Sequence, residues 1–216
     1  MTDDLESQPP SSPRSRILDA AAQAFAEHGF EGAGVDDIAR RAGVNKAMLY
    51  YHVGDKAALY AAVTTDYLGQ VKQAIESQLR RADTPVERLR AMQRGFLAVF
   101  EARPEFPRLM LREIASGGTH LPAEALAGMA GVMALTRTVV ERGQSEGAFR
   151  AVDPLLTHLL VVGSALFIVN AQRLRPRLDD AGVLPEGVPN DFLAVADRVA
   201  DIILYGIAAA PTGGHA

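Results

Sequence analysis

The sequence predicts an all-α fold: an N-terminal three-helix helix-turn-helix headpiece joined through a long fourth helix to a second, wholly helical domain. Three observations carry this. Of the 216 residues 48% are hydrophobic but only 6% aromatic, and the abundant Ala and Leu favour helix over strand. Apolar residues recur at three- and four-residue spacing, and no stretch sustains the period-two alternation of a half-buried strand. Pro, Gly and short polar residues punctuate those periodic segments, where helices start and stop. No internal repeat is present.

Residues 1–12 are acidic, with Gln, Pro and Ser, and read as a disordered arm. Ser12 then offers an N-cap oxygen, and Pro13 suits a first helical position. In the first helix Ile17, Leu18, Ala21 and Phe25 share one face, and Gly29 ends it where left-handed geometry is tolerated. The second helix starts at about Val35, buries Ile38 and Ala39, and stops at Gly43. Asn45 caps the third, in which Leu49 and Val53 point inward. Ala47, Met48 and Tyr51 face the other way, Lys46 sits in the exposed first turn, and Tyr50 lies at the margin.

Gly54 and Asp55 end that helix and cap a fourth, with Lys56 in its first turn. The fourth helix runs past Tyr67 and Val71 towards Leu79. No flexible linker intervenes, so movement of this helix would move the headpiece. The domains are accordingly expected over residues 13–60 and 61–210.

Thr84 and Pro85 open the next helix, whose apolar stripe is Leu89, Met92, Phe96, Leu97 and Phe100. Pro104 starts another, and Gly117 and Gly118 stop it. A longer helix runs from about Pro122 to Glu146. Asp153 and Pro154 cap a near-apolar helix through Leu159, Val162, Leu166 and Phe167, ending before Pro176. Residues 177–189 read as a loop. Asn190 and Asp191 begin the last helix, which carries Leu193, Ala196, Val199, Ala200, Ile203 and Ile207, and the tail after it is frayed.

Composition narrows the function classes. The chain has no Cys, which excludes disulfides and thiolate metal sites and suits a reducing compartment. The N-terminus lacks a signal peptide's apolar segment. The longest near-apolar run, Leu155 to Val169, is interrupted by His158 and Ser164 and falls short of the roughly 20 residues of a membrane span. A soluble, cytoplasmic protein with no membrane partner is expected. The net charge of −4 argues against nucleic acid only weakly, because DNA feels the facing surface, and Arg14, Arg16, Lys46 and Lys56 cluster near the third helix.

The helix order across Arg16 to Leu59 is that of a motif that sets a helix end into the major groove of DNA. The residues also resemble the TetR family of transcriptional regulators. The family's headpiece pattern, AGV-polar-x-x-x-LY-x-H-(F/V)-x-x-K, is matched from Ala42 to Lys56, with Tyr50 and His52 at the named positions. Its upstream pattern is matched from Ile17 to Phe30. One departure is Gly34, where the family usually has a Thr or Ser capping the second helix; a side-chain phosphate contact is lost there, though backbone N–H groups remain.

The resemblance implies base-edge readout by Lys46, Ala47, Met48 and Tyr50 or Tyr51. It implies phosphate contacts by Tyr50, His52 and Lys56, with Arg14 or Arg16 also reaching the backbone. Lys46 could donate to guanine, and Ala47 or Met48 could pack on a thymine methyl. The bland alternatives are that Tyr50 is chiefly packing and that Arg40 and Arg41 are simply solvated.

For the remainder, the resemblance implies a ligand-sensing and dimerisation domain. Its last two long helices would pair across a twofold axis. Both helices are apolar around too much of their circumference for one-sided burial, and Gly163, Ser164 and Ala165 would allow close approach. Phe96, Phe100, Met110, Met129, Met133, Phe167 and Asn170 are candidate pocket residues, Met suiting adaptable binding. His158 and Asn170 need partners if buried.

No cofactor or metal site is expected. Ser116, His120 and Glu113 show no nucleophile–base–orienter arrangement, and there is no phosphate-cradling Gly loop. The sequence thus points to a ligand-responsive regulator, a repressor binding a palindromic double-stranded operator as a homodimer and released by a small-molecule effector. The alternatives are an activator of the same family, or a helical small-molecule-binding protein without specific DNA recognition.

Overall fold

Most helix starts in this chain are set by side-chain caps or first-turn prolines, as the computed structural model shows locally. It describes residues 12–184, 187 and 191–208, without the side chains of 192 and 193. Those residues form helices α1 (Pro13–Gly32), α2 (Val35–Ala42), α3 (Lys46–Val53), α4 (Lys56–Leu79), α5 (Pro85–Ala102), α6 (Glu105–Ala115), α7 (Ala123–Ser145), α8 (Pro154–Ala171), α9 (Arg175–Asp180) and α10 (Phe192–Ile207). Among the described residues there is no strand, only an isolated bridge between Phe149 and Ala208. Residues 1–11 of the arm expected over 1–12, Asn190 and the tail after residue 208 lie outside the described residues.

The chain divides into two units, the first ending at Val63. In the first unit Ser12 Oγ accepts from the Ser15 amide at 3.1 Å, and Asn45 Oδ1 from the Met48 amide at 2.7 Å. Gly43 adopts a left-handed φ of 65°, and its amide and that of Val44 close the end of α2 on Arg40 and Ala39; only Gly enters that region without a Cβ penalty. Ile17, Ala21, Phe25, Ile38, Leu49 and Leu59 are buried. The ring of Tyr60 packs edge-on against Phe25 (4.9 Å between centroids) and Phe30 (5.1 Å).

The second unit packs α5 against α7, α8 and α10, and α7 against α8. Thr84 and Glu87 form a reciprocal capping box at the start of α5. Arg94 grips Asp197 with two hydrogen bonds of 2.9 and 3.0 Å, and Arg90 pairs with Asp201 at 2.5 Å, tying α10 to α5. Gly95 lets α4 approach closely: a Cβ there would lie 2.9 Å from the Ile75 backbone. Gly143 is equally closed, since the Phe149 ring occupies the space a side chain would need.

Four expectations change. Gly29 takes a non-helical φ of 73°, but the chain turns once more to Gly32, so the break is a kink rather than an end. The helix expected to run from Pro154 to just before Pro176 stops at Ala171. The loop expected from residue 177 begins instead as α9, because Pro176 sits in its first turn, where the missing N–H costs nothing. Finally, α7 and α8 are each long and apolar enough to cross a membrane by length and composition. In the structure they pack on each other and on α5.

Candidate functional site

Only Leu49 of α3 is buried. Its inward anchor leaves Lys46, Ala47, Met48, Tyr50 and Tyr51 exposed, with His52 half-buried. Tyr51 is 85% exposed, against 43% for Tyr50, so Tyr51 is the freer of the two rings. An aromatic side chain held this far into solvent contributes nothing to the core.

The basic side chains are less free than sequence reasoning supposed. Lys46 Nζ lies 2.9 and 3.1 Å from the two Asp36 oxygens, and that carboxylate holds the ammonium above its ordinary pKa. Lys56 Nζ donates to the Glu31 carbonyl at 3.0 Å and stands 5.0 Å above the Phe30 ring, which leaves two of its three hydrogens uncommitted among the described residues. Arg16 Nε donates to the Ala42 carbonyl at 3.2 Å, bracing the end of α2, whereas Arg14 is exposed.

Arg40 and Arg41, read as solvated, both bond Asp37, and Arg41 also pairs with Glu27 at 2.9 Å. Burial pushes the Asp37 carboxyl up, but its two arginines outweigh this and hold it below the usual range. The i, i+3 and i+4 spacing of 37, 40 and 41 was the signal for that cluster. Gly34 caps α2 without a side-chain bond, and Asp36 and Asp37 fill the first turn, where acidic groups complement the helix dipole.

The second unit holds a cavity of about 460 Å³, within the range of small-molecule sites. Its wall comes from α4 (Leu68, Val71), α5 (Phe96, Phe100), α6 (Phe106, Met110, Ile114), α7 (Met129, Ala130, Val132, Met133) and α8 (Leu155, His158, Leu159, Val162, Leu166). The structure therefore brings together Phe96, Phe100, Met110, Met129 and Met133. It does not bring Phe167 or Asn170. The cavity face of α8 follows the stripe 155, 158/159, 162 and 166, and Phe167 stands a hundred degrees past it, 71% exposed. Asn170 lies a turn beyond the cavity and spends its amide on the Leu166 carbonyl at 2.8 Å.

Among the described residues, His158 is the wall's one polar side chain. Its Nδ1 lies 2.8 Å from the hydroxyl of buried Thr136, and burial pushes its pKa below the ordinary value. Sequence reasoning asked for a partner for His158 but did not set it on the cavity; the i, i+4 step to Val162 was the available signal. Beside the cavity, Tyr67 stacks on Phe106 (4.7 Å) and donates to Glu105, which also accepts from Arg103 Nε at 2.9 Å. Burial, then the Glu105 carboxylate, raise the Tyr67 pKa. Among the described residues, no cluster of three or more His, Asp or Glu could hold a metal ion.

Residues 17–63 match the profile described as bacterial regulatory proteins, tetR family, and residues 85–178 that of a tetracyclin repressor-like C-terminal domain. The HTH-type transcriptional repressor NicS of Pseudomonas putida is 31% identical over 165 residues, covering 74% of this chain and 76% of NicS. The chain belongs to the TetR family. The HTH-type transcriptional repressor SCO4008 of Streptomyces coelicolor is 28% identical over 91% of this chain and all of its own length. The crystal structure of the TetR-family regulator PfmR from Thermus thermophilus superposes with a TM-score of 0.67 at 29% identity, covering 94% of this chain and 100% of PfmR. This TetR-family chain is a DNA-binding transcriptional regulator, with its helix-turn-helix in the first unit and a helical domain in the second.

Proposed function

We propose that the protein is a homodimeric repressor that binds an inverted-repeat operator and releases it when a small molecule enters the second-unit cavity. The observation that carries this is the outward face of α3, where Lys46, Ala47, Met48, Tyr50 and Tyr51 stand in solvent while Leu49 anchors the helix in the core. Lys46, Ala47, Met48 and Tyr51 would read base edges, with Tyr50 at the groove margin. His52, Lys56 and Arg14 would contact phosphates. NicS and SCO4008 are both named repressors, which supports repression over activation.

The homodimer is read from α8 and α10. Leu156, Leu160 and Phe167 recur at helical spacing and are 62, 56 and 71% exposed, and Ile202 and Tyr205 on α10 are 72 and 92% exposed. A Cβ at Gly163 or Gly206 would meet only open space, which leaves room for a partner helix. Such an apolar surface is what a twofold four-helix interface buries. Two headpieces would then reach successive major grooves about 34–36 Å apart, in the cytoplasm, where bacterial DNA lies. Leu68 and Val71 of α4 line the cavity, and α4 begins at Lys56 in the headpiece, so an effector that favours one position of α4 would bias DNA binding.

The test is selection of bound duplexes from a random pool at near-physiological salt. An inverted repeat is expected, and Lys46→Ala should alter the preferred base at one position of each half-site by roughly ten-fold. Lys56→Ala should weaken all sites alike and reduce the salt slope by about one. No enrichment from folded, dimeric protein would overturn the operator reading.

A further inference from the structure

We propose that the cavity takes an uncharged, largely hydrocarbon molecule whose single polar group is a hydrogen-bond acceptor of the carbonyl type, held by the Nε2–H of His158. The inference rests on the reading of this cavity as the effector site, and names the chemistry it selects.

The first step concerns charge. Among the described residues, no Lys, Arg, Asp or Glu contributes to the wall. A carboxylate or phosphate drawn inside would lose its hydration and find at most one donor, which does not repay the cost of burying an ion. An ammonium would find no anion at all. The ligand's buried part is therefore neutral.

The second step fixes the direction of the hydrogen bond. Thr136 is fully buried, and among the described residues its hydroxyl has one partner, Nδ1 of His158 at 2.8 Å. Threonines in helices often donate to the carbonyl one turn back, as Thr138 and Thr157 do here, to Ala134 and Asp153. Thr136 makes no such bond among the described residues. A buried O–H that donated nowhere would carry the full penalty of an unsatisfied donor, so it donates to Nδ1. An Nδ1 that accepts cannot carry a proton, and the imidazole proton therefore sits on Nε2.

The third step follows from neutrality. A doubly protonated ring would turn Nδ1 into a donor and strand the Thr136 hydrogen, so the Thr136 bond and burial act in the same direction against the imidazolium. Among the described residues no group holds Nε2, and His158 is part of the cavity wall. The cavity thus offers one N–H donor amid hydrocarbon. A ketone, ester or lactone oxygen satisfies it; a plain alkane leaves it unpaired.

The experiment uses the full-length protein and three probes of one chain length: 2-undecanone, undecane and undecanoate. Their affinities at about pH 7.5 are read by displacement of Nile red, a neutral fluorophore. The ketone should bind about ten-fold tighter than the alkane, the advantage of one well-made hydrogen bond, and tighter than the carboxylate by at least as much. His158→Phe should still bind Nile red, more weakly because the dye's own carbonyl loses the same donor, and should erase the ketone's advantage over the alkane. Nitrogen-15 shifts of the histidine rings should show the His158 proton on Nε2. A proton on Nδ1, undecanoate binding as tightly as the ketone, selectivity unchanged in His158→Phe, or no binding of any probe would each overturn the inference. Operator release is measured separately. A ketone that binds with this selectivity yet leaves operator affinity unchanged would overturn the effector reading and leave the ligand chemistry standing.

Discussion

On α3 the outward side chains are Lys46, Ala47, Met48, Tyr50 and Tyr51; on α8 they are Leu155, Leu156, Leu159, Leu160 and Phe167. Both helices expose large residues that folding would ordinarily bury, but they differ in what could cover them. The α3 face mixes a cation, hydroxyl-bearing rings and a thioether, and water solvates much of it. The α8 face is hydrocarbon alone. The first suits a hydrated, anionic and patterned surface, the second another apolar helix or a greasy ligand. The polarity of an exposed face thus says what could cover it.

The largest expected effect breaks the inward side of α3. Leu49→Ala removes a fully buried side chain and should cost about 2–5 kcal/mol, seen as loss of the headpiece's cooperative melting and of DNA binding. Retained headpiece stability would show that α3 is held by something other than Leu49.

Next comes the outward side of α8. The double change Leu156→Asp with Leu160→Asp places charges on residues that are already exposed in the single chain, so each chain should stay helical while the proposed dimer separates. Sedimentation should report the monomer mass; an unchanged dimer would move the interface elsewhere.

A smaller effect sharpens the α3 side. Asp36 is 79% exposed at its side chain and neutralises Lys46. Asp36→Asn should raise affinity for random duplex a few-fold and steepen the salt slope by about one, while lowering the ratio of operator to random binding. Unchanged random affinity would mean that Asp36 does not face the phosphates.

The smallest effect concerns pH. The His158 pKa is lowered in the folded chain, so on acidification through about 6.5 the unfolded state takes up the proton first. Stability from this group is present above that pH and lost below it. Between about pH 7.5 and 5.5 the unmodified protein should lose more Tm than His158→Phe does, and equal losses would remove His158 from the account.

Most of the headpiece was legible because its signals are local. Ser12, Asn45, Gly43 and Asp55 act on residues within one turn, and Leu49 declares its direction by spacing. The α9 helix was not legible, since Pro176 can stop a helix or start one and nothing nearby decides. Phe167 was misplaced because α8 is apolar on every side, so periodicity gave it no phase. The contacts that matter most to the chemistry join different helices: Asp36 to Lys46 across ten residues, Thr136 to His158 across twenty-two. No single-chain pattern announces such pairs.

Thr136 lies behind the cavity wall, where no ligand touches it. If its hydroxyl sets which nitrogen of His158 bears hydrogen, the memory of what the cavity accepts is kept by a residue outside the cavity. A change to Val there would leave every wall atom in place and free the ring to present either a donor or a lone pair. Relatives with identical linings could then answer to different molecules, and an inventory of wall residues would miss where the divergence began.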